Sequence, residues 1–174
     1  MGTSSVIEIP KAIRDIANSQ DRRLAIKFFI FFSRLEFALK RTQYGLGDEE
    51  REAKANWDLF GSRHNDTFLA RREGSLLAAW KYFDEHPPRK QILPCGRLDW
   101  SEEDRRDITQ PELKWLLTMI RRVRNNLFHG GKFPLRAIEE PSRDCTLLGH
   151  SLVVLQDCLE YDPAVREEFF QELG

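Results

Sequence analysis

Between Thr109 and Gly131, apolar residues recur at intervals of three and four: Leu113, Leu116, Leu117, Ile120, Val123 and Leu127. A helix turning about 100° per residue puts these on one side, whereas a strand, whose side chains alternate faces, would scatter them. Thr109 is a candidate N-cap and Pro111 lies near the first turn. The same period runs through the other patterned segments. From about Asp21 to Tyr44, Leu24, Phe28, Phe31, Phe32, Leu35 and Leu39 form one stripe, and Ile26, Ile30 and Phe37 another almost opposite. This helix is expected to be buried on two faces, either at the centre of a bundle or with its second face against another subunit.

Asp48 is a candidate cap for a short helix carrying Ala53, Trp57 and Phe60 and stopping near Gly61. A stretch from about Asp66 holds Phe68, Leu76, Trp80 and Phe83, with Gly74 a weak point, until Pro87-Pro88 stops it. Ser142 to Tyr161 carries Leu147, Leu148, Ser151, Leu152, Leu155 and Leu159 inward, and Asp162-Pro163 opens a last short helix. Pro10 to Asn18 suits a short packing arm. No segment alternates at period two, so the expected fold is all-α, a bundle of five or six helices. Its 174 residues fit one domain. The segment 87–108 is the exception to the pattern, a long loop or insertion directly before the Leu113–Leu127 helix. Loops of that length are commonly functional, so it is expected to border any site there.

A charged fraction of 32% against 41% hydrophobic residues fits a soluble globular protein, and the longest dense apolar run, Phe28 to Phe32, is too short to span a bilayer. The N-terminus has no basic region followed by an apolar one, which makes the cytoplasm the expected compartment. A net charge of −1 gives no overall field to attract nucleic acid, so any RNA contact must be local. Cys95, Cys145 and Cys158 lack metal-ligand spacing and read as buried or reduced thiols, and His64 and His86 have no ligand cluster beside them. Neither a metal nor another cofactor is called for.

The helix ends in Arg124-Asn125-Asn126-Leu127-Phe128-His129-Gly130-Gly131-Lys132. Arg124 falls inside the apolar stripe, where an uncompensated guanidinium would cost several kcal/mol. Glu36, beside the main stripe of the first long helix, is a candidate partner; it is equally placed for an ordinary surface pair with Lys40 four residues on. Lys114, Thr118, Arg121, Arg122 and Asn125 gather on the polar side. Five residues of ideal helix turn Arg124 and His129 roughly 140° apart, so they share a site only if the helix stops and His129 swings round. Gly130-Gly131 permits that stop.

An Arg-Asn-x-x-x-His-Gly sequence at the end of a late helix in a short helical chain resembles the motif of the HEPN superfamily. The resemblance implies a helical bundle that commonly dimerises with two motifs facing each other and, in many members, a metal-independent endoribonuclease. It makes Arg124 and His129 the catalytic pair and Asn125 the supporting polar residue. Arg121, Arg122 and Lys132 are candidates to bind substrate. RNA and a second copy of the chain are the expected partners, with a protein neutraliser if the role is that of a toxin or defence effector. Arg143 and His150 also satisfy the loose motif, but lack the following Asn and the trailing glycines; they read as a decoy. The alternative is a non-catalytic helical module that binds a protein or nucleotide through the same face.

Overall fold

Helix α1 (Gln20–Lys40) has 21 residues with no Gly or Pro and runs about 31 Å. It is the longest helix in a computed structural model that describes residues 20–101, 106–128 and 141–171. The expected Pro10–Asn18 arm lies outside the described residues. Around α1 stand α2 (Trp57–Arg63), α3 (Asn65–Arg71), α4 (Gly74–Glu85), α5 (Glu112–Phe128), α6 (Pro141–Cys158) and α7 (Pro163–Phe170). The fold is an all-α bundle, with seven helices among the described residues where five or six were expected. The difference arises because the stretch from Asp66 is interrupted at Arg72–Glu73 and forms two helices.

The main stripe of α1 enters the core: Phe28, Leu35 and Leu39 are fully buried and Phe32 nearly so. Each such side chain contributes roughly 1.5–3 kcal/mol through burial. α1 packs on α6 and α7, α2 on α5, and α4 on α6. Arg34 locks one of these joints by donating from Nε to the Phe169 carbonyl at 2.6 Å and from Nη2 to that of Glu168 at 3.1 Å. Those carbonyls lie in the last turn of α7, where a cation is favoured by the helix dipole. The second stripe is different. Ile26, Ile30 and Phe37 remain 46%, 60% and 37% exposed, so the described part of the chain does not bury that face.

Two local expectations fail for identifiable reasons. Asp48 does not start a helix; its Oδ1 accepts from the backbone N–H groups of Glu50 and Arg51 and closes a turn. The cap of α2 is Asn56, whose Oδ1 accepts from Leu59 N at 3.0 Å. Gly61 does not stop α2 either. It lies inside the helix against α5, where an added Cβ would come within 2.6 Å of Lys114 Cα, so it marks a close helix crossing.

Between α1 and α2 the chain forms a minimal antiparallel ladder, β1 (Gly45–Leu46) with β2 (Lys54–Ala55). Gly45 is needed because a Cβ there would sit 2.5 Å from the Lys40 carbonyl oxygen. The ladder thus folds tightly against the end of α1 and delivers Asn56 to α2, with Asn56 N donating to Tyr44 O at 2.7 Å. Within 87–108, β3 (Gln91–Ile92) pairs with β4 (Asp99–Trp100) around a short 3-10 turn at Pro94–Gly96.

Candidate functional site

Helix α5 carries the Arg124 motif, and its burial covers more of its circumference than the leucine stripe indicates. Leu113, Leu116, Leu117, Ile120 and Val123 are buried as the period predicts, but so are Trp115, Met119 and Asn126 on the adjoining face. Asn126 is held there by a hydrogen bond from its Nδ2 to the Arg89 carbonyl at 3.0 Å. Arg122 donates to the Pro88 carbonyl at 3.4 Å on the same side. These bonds tie the segment 87–100 to the motif helix. At the other end of α5 the expected Thr109 cap is replaced: Thr109 donates to Asp107, and the N–H of Leu113 is taken by Asn65 Oδ1 of α3 at 3.1 Å.

The remaining face of α5 opens on a cleft of about 560 Å³. Arg121, Arg124 and Asn125 line it from α5; Phe32, Glu36 and Lys40 from α1; Leu46 and residues 52–55 from the ladder; and Asn56, Trp57 and Asp58 from the start of α2. Phe32 and Trp57 stack with centroids 5.1 Å apart and planes at 24°, forming a rigid aromatic base between α1 and α2. The Arg124 guanidinium lies 5.7 Å from the Phe32 ring, and its Nη1 donates to Asn125 Oδ1 at 3.0 Å. Among the described residues, one bond to a side-chain amide and one aromatic face leave most of the guanidinium's five N–H donors for a ligand.

The expected Arg124–Glu36 ion pair is absent among the described residues, and so is the Glu36–Lys40 pair, although all three side chains line this one cleft. Arg124 tolerates its stripe position because it is only half-buried, at the mouth of the cleft, where water and the Phe32 ring share its solvation. Arg121 is engaged differently: Asp58 receives both Arg121, at 3.4 Å, and Lys114, at 3.4 Å. Of the expected substrate-binding residues, then, Arg121 reaches the cleft and Arg122 turns away from it toward Pro88. His129 and Lys132 lie outside the described residues. The segment 87–100 borders α5 on the face away from this cleft.

A comparison of the chain with protein-family models, with curated proteins and with solved structures found no match.

The decoy pair sits elsewhere. Arg143 and His150 are both on α6; His150 is half-buried with its ring 4.9 Å from that of Tyr82, and burial lowers its pKa. A second polar cluster escaped the sequence reading altogether. Tyr44 Oη donates to Asp162 Oδ2 at 2.8 Å and meets His64 Nε2 at 2.7 Å, and Gln43 Nε2 donates to the same Asp162 oxygen at 3.0 Å. Asp162 Oδ1 meanwhile accepts from Ala164 N and Val165 N and caps α7. Burial, then the Asp162 hydrogen bond, pushes the Tyr44 phenol up to about 12. Desolvation lowers the His64 pKa against the pull of Asp162, consistent with a neutral ring whose Nε2–H donates to Tyr44. For Asp162, burial raises the pKa, but the hydrogen bonds from Tyr44, the two backbone N–H groups and Gln43 outweigh it. The cluster joins the end of α1, the α2–α3 junction and the start of α7. Among the described residues, no group of His, Cys, Asp and Glu is placed to hold a metal ion, and no helix is long and apolar enough to cross a membrane.

Proposed function

We propose that the protein is a metal-independent endoribonuclease of the HEPN type, acting through Arg124, Asn125 and His129. The observation that carries this reading is Arg124 in an open polar cleft, oriented by the neighbouring Asn125 and paired with no carboxylate among the described residues. A guanidinium serving stability alone gains most from a closed ion pair; one kept with free donors suits a phosphate. In the reaction a ribose 2′-hydroxyl attacks the adjacent phosphorus, forming the O2′–P bond and breaking P–O5′. The products are a 2′,3′-cyclic phosphate and a 5′-hydroxyl, and no water is consumed. His129, with an unperturbed pKa of about 6.5, takes the 2′ proton or delivers one to O5′. Arg124 stabilises charge growing on the phosphate oxygens and Asn125 orients it.

Two proton transfers need two groups, and one chain supplies one motif histidine. A two-fold dimer would bring a second His129 to the site, and the exposed Ile26, Ile30 and Phe37 stripe of α1 is the apolar surface that suits such a contact. A ribonuclease of this kind suits a toxin or defence role held in check by a protein neutraliser in the cytoplasm. The test is cleavage of RNA by purified protein in excess chelator. His129→Ala should remain folded and fail to cut, while His150→Ala cuts normally. Cleavage that survives His129→Ala, or is lost only in His150→Ala, overturns the assignment. Binding without cleavage by the unaltered protein would leave a non-catalytic module.

A further inference from the structure

The chemistry above uses the α5 side of the cleft and leaves its other side unassigned. That side is built by the β1–β2 ladder and the end of α1. Pairing of Leu46 with Lys54 fixes the strand position of Lys54, and both residues line the cleft together with Lys40. Among the described residues neither lysine forms an ion pair, whereas Arg121 and Lys114 are both committed to Asp58. Lysines usually gain little from ordering beside a cleft unless an anion arrives.

We propose that Lys54 and Lys40 form a second phosphate-binding position, holding a single strand of RNA at a phosphate other than the one on Arg124. This rests on the reading that the substrate lies in this cleft. The cleft's volume, about 560 Å³, is that of a site for a small ligand or part of one strand. Its charge pattern favours a single strand as well. Glu36, Glu52 and Asp58 share the lining with the four cations Lys40, Lys54, Arg121 and Arg124. A duplex presents one negative charge per about 1.7 Å of axis and would press phosphates against those carboxylates. A single strand, at lower charge density, can set one phosphate on Arg124 and another on the lysine pair and leave the carboxylates to accept hydrogen bonds from base amino groups.

The experiment is fluorescence anisotropy with a labelled 2′-O-methyl oligoribonucleotide, which lacks the attacking hydroxyl and so reports binding without cleavage. Affinity is measured across a potassium chloride series for the unaltered protein, Lys54→Gln, Lys40→Gln and the double variant, each with its melting temperature. The slope of log affinity against log salt should fall by about 0.7 in the double variant, the value for one phosphate contact on a single strand, and by less in each single variant, and the matching duplex should bind more weakly than the single strand. Lys81→Gln, on the exposed face of α4 away from the cleft, should leave the slope unchanged. An unaltered slope in a double variant that melts normally, or a duplex bound as tightly as the single strand, overturns the proposal. Failure of the ribonuclease reading is distinct: the all-ribose strand would then bind with the expected salt slope and stay intact.

Discussion

Replacing Arg124 by alanine should cost the fold little, and the size of that cost follows from its surroundings. The substitution removes a hydrogen bond to Asn125 at a solvent-exposed position, worth about 0.5–1.5 kcal/mol. It also removes a guanidinium from over the Phe32 ring, worth about 0.5–1 kcal/mol. Relaxation and water entry offset part of both, so the expected loss is roughly 1–2 kcal/mol. Had Arg124 compensated a buried Glu36, removing it would strand a charge and cost about 3–5 kcal/mol. Urea unfolding at pH 7 separates the two cases, provided the m-value is unchanged. For a chain of this size the smaller loss lowers the melting temperature by about 2–8 °C. A loss above about 3 kcal/mol would refute the description of Arg124 as a cleft residue with free donors. Glu36→Gln supplies the matching control: with no ion pair to break, it should change stability by less than about 0.5 kcal/mol.

Gly61→Ala should destabilise by about 1–3 kcal/mol, because its methyl must push α2 off the Lys114 backbone; an unchanged thermal melt would deny the close crossing. Asn126→Ala should cost about 1 kcal/mol and expose 87–100 to limited proteolysis by releasing the Arg89 carbonyl; unchanged digestion would contradict that tether. Stability should fall on acidification below neutrality. The His64 pKa is lowered in the folded state, so its contribution is complete above the ordinary value of 6.5 and is lost as pH drops through the lowered one. Asp162, also lowered, keeps its contribution down to the ordinary carboxylate range and loses it below. His64→Gln should flatten only the upper part of this dependence, as read by urea midpoints between pH 7 and 5. A midpoint curve identical to that of the unaltered protein would remove His64 from the account.

Helical period made α1, α5 and α6 legible, because a stripe's repeat does not depend on what covers it, and Asp162-Pro163 marked the start of α7. The burial of Asn126 was not legible, because it depends on the Arg89 carbonyl that the segment 87–100 brings to α5, and the leucine stripe gave no sign that Trp115 and Met119 are covered as well. Asp48 and Gly61 misled for a related reason. An Asp before polar residues suits a turn as well as a cap, and a glycine suits a close crossing as well as a stop; only the partner, Lys114 in the second case, decides. Arg124 and Asn125 were legible through the Arg-Asn-x-x-x-His-Gly resemblance, Arg121 through its place on the polar side of the helix, and Glu36 because a charge near a core stripe is conspicuous. Lys54 and Asn56 were missed, since their place in the cleft comes from the β1–β2 ladder, whose two-residue strands leave no alternating pattern. The Tyr44, His64 and Asp162 cluster was missed because Tyr44 is separated from Asp162 by 118 positions.

The proposed role of Arg124, stabilising a phosphate during strand cleavage, is tested most directly by single-turnover cleavage of a defined oligoribonucleotide in chelator. The unaltered protein should leave 2′,3′-cyclic phosphate ends, and Arg124→Ala should lose the rate by a factor of about 10²–10³, as for removal of a charge-stabilising donor, while its urea midpoint stays near normal. Cleavage at an undiminished rate by folded Arg124→Ala, or products ending in a 3′-hydroxyl, would contradict that role.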